Sequence, residues 1–291
     1  MATSFAHPEY LVTTDWLAAH LDDPDVRVLD GTTHLPPLPD LSLYDVVPGR
    51  ADFEKGHIPG AAFVDIEHDV STPNPRLHFM LPGAEVFAAA MGRFGVGDET
   101  HVVTYATGNH WWATRLWWML RVFGHDRVSV LDGGFQKWQR EGRAVETGPA
   151  RPHAAGRFTA RMRPEMVATR EDVLSAIGRT GTCTVNALRA EQHAGTGGVH
   201  YGRRGHVKGS INIPSLQHIR EDNTFRTADE LRALFAPALA SPEVITYCGG
   251  GIAATSVALV LAMLGHDRVK VYDNSLTEWA ADPALPMETG A

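Results

Sequence analysis

The chain carries the same punctuation twice. Gly56-His57-Ile58-Pro59-Gly60-Ala61 in the first half returns as Gly205-His206-Val207-Lys208-Gly209-Ser210 in the second. Phe123-Gly124-His125-Asp126-Arg127-Val128 returns as Leu264-Gly265-His266-Asp267-Arg268-Val269. The match then runs on at one spacing, from Val130-Leu131-Asp132 against Val271-Tyr272-Asp273 to Trp138 against Trp279. Matches in one order at one spacing mark a duplicated unit, and each copy of such a unit must find cover for its own apolar face. The 291 residues leave room for two ordinary domains. The reading is a first domain over residues 1–150 and a second over 160–291. They are joined near Thr147 to Arg157, a stretch rich in Pro, Ala and Gly that lacks an apolar period.

Each copy alternates β-rich runs with helical ones. Val26–Leu29, His101–Tyr105 and Arg127–Leu131 read as strands in the first copy, and Thr182–Asn186, Glu243–Tyr247 and Arg268–Tyr272 in the second. Between them lie Ala113–Phe123 and Ala254–Leu264, largely apolar and free of proline, which read as helices. Such alternation predicts an α/β fold of two tandem domains, each a parallel sheet flanked by helices on both faces. Ligands of such sheets sit beyond the carboxyl ends of the strands.

The copies differ where that rule puts the chemistry. Tyr105-Ala106-Thr107-Gly108-Asn109-His110 faces Tyr247-Cys248-Gly249-Gly250-Gly251-Ile252, so Ala106 occupies the place of Cys248. Cys248 follows a strand and precedes a helix, with three glycines between. Glycines let several N–H groups turn inward, and the helix adds its N-terminal partial charge. Together they favour an anion at the loop centre, either the Cys248 thiolate or the oxygens of an approaching donor. The other cysteine, Cys183, lies inside a strand pattern and reads as inert core.

Composition narrows the partners. The formal net charge of −8 argues against a phosphate-backbone ligand, so no nucleic acid is expected. Two cysteines without a Cys-x-x-Cys pair, and scattered histidines, argue against a structural metal. Met1 to Tyr10 is polar, without the apolar core of a signal, and the apolar run near Ala253 to Leu264 is too short to cross a bilayer. The expectation is a cytoplasmic protein with no membrane contact and a reduced thiol.

These residues resemble the rhodanese superfamily, in its two-domain thiosulfate and 3-mercaptopyruvate sulfurtransferase branch. The resemblance spans nearly the whole chain. It includes His57-Ile58-Pro59-Gly60-Ala61, Trp117-Trp118-Met119-Leu120-Arg121, Val130-Leu131-Asp132-Gly133-Gly134, Glu278-Trp279 and Pro286-Met287-Glu288-Thr289-Gly290. It implies a silent first domain, a catalytic second one, and a six-residue loop over Cys248, Gly249, Gly250, Gly251, Ile252 and Ala253. Cys-Gly-Gly-Gly-Ile-Ala is closer to the mercaptopyruvate form of that loop, Cys-Gly-Ser-Gly-Val-Thr, than to the thiosulfate form, Cys-Arg-Lys-Gly-Val-Thr. The mercaptopyruvate branch also implies an Asp and a His from the first domain, and these resemble Asp65 and His78. The chain departs from the pattern in several places. Gly250 and Ala253 stand where the loop has hydroxyls. The Asp-Ser-Arg run that normally brings the donor's arginine is Asn186-Ala187-Leu188, and Asn274 and Leu276 replace a glycine and a tryptophan. Arg189, one place late, and Arg203 or Arg204 are the candidate replacements for that arginine.

The expected chemistry is covalent: a small anionic sulfur donor, a Cys248 persulfide, and a thiol (a thioredoxin-like one included) or cyanide as acceptor, with no cofactor. Two rivals were weighed. A phosphatase of the Cys-x₅-Arg type is disfavoured because the loop contains no arginine. A non-enzymatic sulfur-relay or binding protein is the alternative that the missing arginine and serine leave open.

Overall fold

The computed structural model describes residues 4–290; the start of the polar N-terminal segment, 1–3, and the final residue of the second half lie outside the described residues. In the first half, five short runs rich in β-branched and aromatic side chains become strands. They are β1 (Leu11–Val12), β2 (Val26–Asp30), β3 (Ala62–Phe63), β4 (His101–Tyr105) and β5 (Val128–Leu131). The second half supplies β6 (Val167–Ala168), β7 (Thr182–Asn186), β8 (Ile211–Asn212), β9 (Glu243–Tyr247) and β10 (Val269–Tyr272). The first sheet runs β1-β5-β4-β2-β3 and the second β6-β10-β9-β7-β8, the same order twice, with every neighbour pair parallel. The expected α/β fold of two parallel sheets flanked by helices is what forms. The strand ends move slightly: β2 runs on to Asp30, which pairs with Tyr105, while Arg127 and Arg268 stay outside their strands.

Each repeated Gly-His motif is tied down in the same way. His57 stacks on Phe53 at 3.8 Å and bonds the Phe53 carbonyl through Nδ1, while His206 does the same to His193 at 3.6 Å. The backbone N–H of the next residue donates to a tyrosine hydroxyl from the central strand, Ile58 to Tyr105 and Val207 to Tyr247. Gly60 and Gly209 donate to the carboxylates of Glu146 and Glu288. The duplication therefore extends to individual hydrogen bonds.

Two helices follow the central strands: α1 (Trp111–Val122) after β4 and α2 (Ala254–Met263) after β9. Nearly every side chain on both is buried. Helices buried on nearly all sides need cover from other elements, and these two pack on each other across the halves. Thr114 and Thr255 share a hydrogen bond of 2.8 Å there, and Ser256 bonds both His110 (2.7 Å) and His218 (2.8 Å). Helix α1 begins at Trp111 rather than Ala113, so two tryptophans close its first turn. The joining segment is not slack. It is extended to Arg163 and pinned to the first half by bonds from Gly156 to Gly92, Arg161 to Phe123 and Arg163 to Val122.

The two buried histidines make this interface acid-sensitive. Burial pushes His110 down to about 4, and burial with the neighbouring His110 drives His218 well below its usual value. An unfolded chain protonates both near pH 6.5, so their stabilising contribution is complete above that pH and is lost as pH falls toward 4. For His110 the loss at pH 5 is about 2 kcal/mol. Asp30 and Asp132, pushed up to about 6 chiefly by burial, act with the opposite sign. The effect is therefore read by difference. Thermal melts of the native protein and of His110→Gln from pH 7 to 4.5 should show a shallower fall in Tm for the variant. Parallel curves would remove His110 from the account.

Candidate active site

Cys248 directly follows β9 and is 2% exposed. Its loop is shaped from below by Ser275, whose hydroxyl accepts from the Cys248 N–H (3.0 Å) and the Gly251 N–H (3.1 Å) and donates to the Tyr272 carbonyl. Ser275 sits at φ +51, a region where a non-glycine residue carries strain of about 1–3 kcal/mol. The first half has Gly134 there, at φ +55, and a matching backbone bond joins Phe135 to Ala106 as Leu276 joins Cys248. The copy with Cys248 thus bears a strained serine where the copy with Ala106 has a relaxed glycine. Ser275 therefore occupies two of the loop N–H groups. The amides of Gly249, Gly250, Ile252 and Ala253 enter no hydrogen bond among the described residues and remain for an anion at the start of α2.

Both halves wall a cavity of about 440 Å³ in front of the cysteine. Cys248, Gly249, Gly250, Ile252, Ala253, Arg189 and His78 line it, as the sequence led one to expect. Gly251 does not: it has φ +74, a Cβ there would strike Asp273, and its carbonyl points away to Arg115. Asp65 does not either. It caps the helix Ile66–Asp69, accepting from the His68 N–H and bonding the His68 ring, which uses its carboxylate. The partner of His78 is Glu67, one oxygen 2.7 Å from Nδ1 and the other accepting from the Phe79 N–H. Glu67 lies in the same short run as Asp65, and no spacing rule in the sequence separates them.

Arg203 requires a similar correction. Its guanidinium donates to the carbonyls of Trp279, Ala280, Asp282 and Leu285, clamping the C-terminal segment, and it does not reach the cavity. Arg204 does not line it. Arg189 does, and so does Arg76 from the first half, which the sequence did not single out. Neither guanidinium forms an ion pair among the described residues. Tyr201 was also missed. It is buried at φ +52, and its hydroxyl lies so close over Gly249 that any Cβ there would collide with it. Burial pushes the phenol well above its usual range, so it stays a hydrogen-bond donor.

The walls are fastened by Arg115 of α1, which is fully buried. It donates to Asp273 (2.5 Å), to the Gly251 carbonyl (3.3 Å) and to the Phe79 carbonyl. Asp273 also accepts from the Leu81 N–H at 2.9 Å. One cation therefore joins the segment next to His78 to the loop of Cys248. Removing one partner of a buried pair strands the other, at a cost of about 3–5 kcal/mol. Arg115→Met should lose roughly that much stability in urea titrations, and adding Asp273→Asn should restore part of it. A loss below about 1 kcal/mol would contradict the bridge.

The model of the rhodanese-like domain matches residues 13–141 and 181–282. A 3-mercaptopyruvate sulfurtransferase of Escherichia coli is 38% identical over 286 residues, covering 96% of this chain and 98% of that relative. A thiosulfate sulfurtransferase of Rattus norvegicus is 34% identical, covering 92% of this chain and 91% of that relative. The crystal structure of SseA from Escherichia coli, described as a 3-mercaptopyruvate sulfotransferase, superposes with a TM-score of 0.80 at 37% identity, covering 91% of this chain and 98% of that one.

Proposed function

We propose that this chain, which belongs to the rhodanese-like family and is a sulfurtransferase, loads sulfur onto Cys248 from a thiol donor of the 3-mercaptopyruvate kind in preference to thiosulfate. The observation that carries the reading is a buried cysteine under free loop amides, in a cavity that His78, bonded to Glu67, lines from the other half. Residues up to 150 form the silent half, which lends acid–base groups and a wall; residues from 160 form the half with the nucleophile.

The steps follow from the geometry. The donor carboxylate meets Arg189 or Arg76 at the rim. The Cys248 thiolate attacks the donor's thiol sulfur, and the S–S bond forms as the C–S bond breaks. The electron pair passes to the enolate, and His78, its Nδ1 held by Glu67, gives that enolate the proton that ends on the methyl carbon of pyruvate. The amides of Gly249, Gly250, Ile252 and Ala253 stabilise the sulfur anion. An acceptor thiolate then takes the outer sulfur and restores Cys248.

Thiosulfate carries its charge on a compact group that needs fixed cations beside the cysteine. The loop has none, and Tyr201 fills the space over Gly249 that a longer side chain would need. With 3-mercaptopyruvate, intact mass should rise by one sulfur; Cys248→Ser should abolish the gain and Cys183→Ser should keep it. The ratio of kcat/KM for the two donors should favour mercaptopyruvate, and a clear thiosulfate preference overturns the choice. Glu67→Gln should slow loading from mercaptopyruvate by about 10²-fold and affect thiosulfate far less. Equal losses with both would remove Glu67 from proton transfer.

A further inference from the structure

The cavity is larger than its proposed donor needs. At about 440 Å³ it lies in the range of roughly 300–1,000 Å³ in which proteins hold drug-sized ligands, whereas the donor has a three-carbon skeleton. One wall of the cavity is a segment of the first half, residues 35–46, which presents Leu35, Leu41, Leu43, Tyr44 and Val46.

We propose that this wall is an acceptor subsite for a thiol that carries a ring-sized apolar body beside a carboxylate, an inference that rests on the sulfur-transfer reading above. The wall is preformed. Antiparallel strands Thr33–His34 and Val47–Pro48 close its base, and Leu38 and Asp45 donate across it to Leu43 and Pro36. Its tip is fixed to the second half, because the His200 N–H donates to the carbonyl of Leu41, which stands at φ +57, and Tyr44 packs on Tyr201. A fixed wall binds a rigid body without first ordering itself. A small inorganic acceptor such as cyanide gains nothing from aliphatic side chains, whereas a ring laid on them is driven by the area removed from water. The guanidiniums of Arg76 and Arg189, one from each half and both free of acidic partners among the described residues, stand at the same cavity to meet an anionic end.

The test separates the two half-reactions. Cys248 is first loaded from 3-mercaptopyruvate and the persulfide verified by mass; failure at this point rejects the sulfur-transfer reading itself. The loaded protein is then discharged in single turnover by 2-mercaptoacetate, by 2-mercapto-3-phenylpropanoate and by reduced thioredoxin as a protein-thiol probe. The phenyl thiol should discharge at least about tenfold faster than mercaptoacetate. Leu43→Asp should collapse that ratio toward one, and the native ratio decides even if that variant fails to fold. Loading followed by equal rates with the two small thiols, or discharge by thioredoxin alone, overturns the subsite.

Discussion

Arg115 has no path to water, so its charge must be answered inside the protein. Of its three acceptors, only the Phe79 carbonyl belongs to its own half; Asp273 and the Gly251 carbonyl come from the other. Neither copy can bury this guanidinium alone. The close packing of α1 on α2 follows from a related condition, since nearly every side chain of both helices is buried and each is the other's cover. The site inherits its geometry from this contact. His78 and Cys248 come from different copies, and the residues next to each are held by the one cation. The first half completes the charge balance as well as the cavity.

Duplication made much of this legible in advance. The repeated Gly-His and Gly-His-Asp-Arg-Val motifs fixed the number of units, the strand–helix alternation fixed parallel sheets, and the mismatch of Ala106 with Cys248 pointed to the copy that acts. The same comparison explains Ser275. Gly134 reveals that the backbone there needs a positive φ, and a serine accepting it in the other copy signals a task, namely to hold two loop amides.

The direction in which side chains point was not legible. Asp65 and Glu67 stand two places apart, but the first falls on a helix cap and is drawn to His68, while the second turns toward His78. Arg203 was reasonable as an anion ligand by position alone. Four carbonyls of the C-terminal segment claim it, and a guanidinium so engaged has little left to offer a donor. Arg76 and Tyr201 were passed over because loops of irregular backbone carry no period to read, and Tyr201 reaches the site only through a left-handed turn that nothing in its neighbours announces.

The contact between Tyr201 and Gly249 has a consequence for how this sequence can change over time. A residue with a Cβ can enter position 249 only if the Tyr201 ring moves aside, and a smaller residue at 201 would leave a void over the loop. Descent toward a loop with arginine beside the cysteine is therefore eased when position 201 changes with it. Among relatives of this chain, the residues at 201 and 249 should tend to change together.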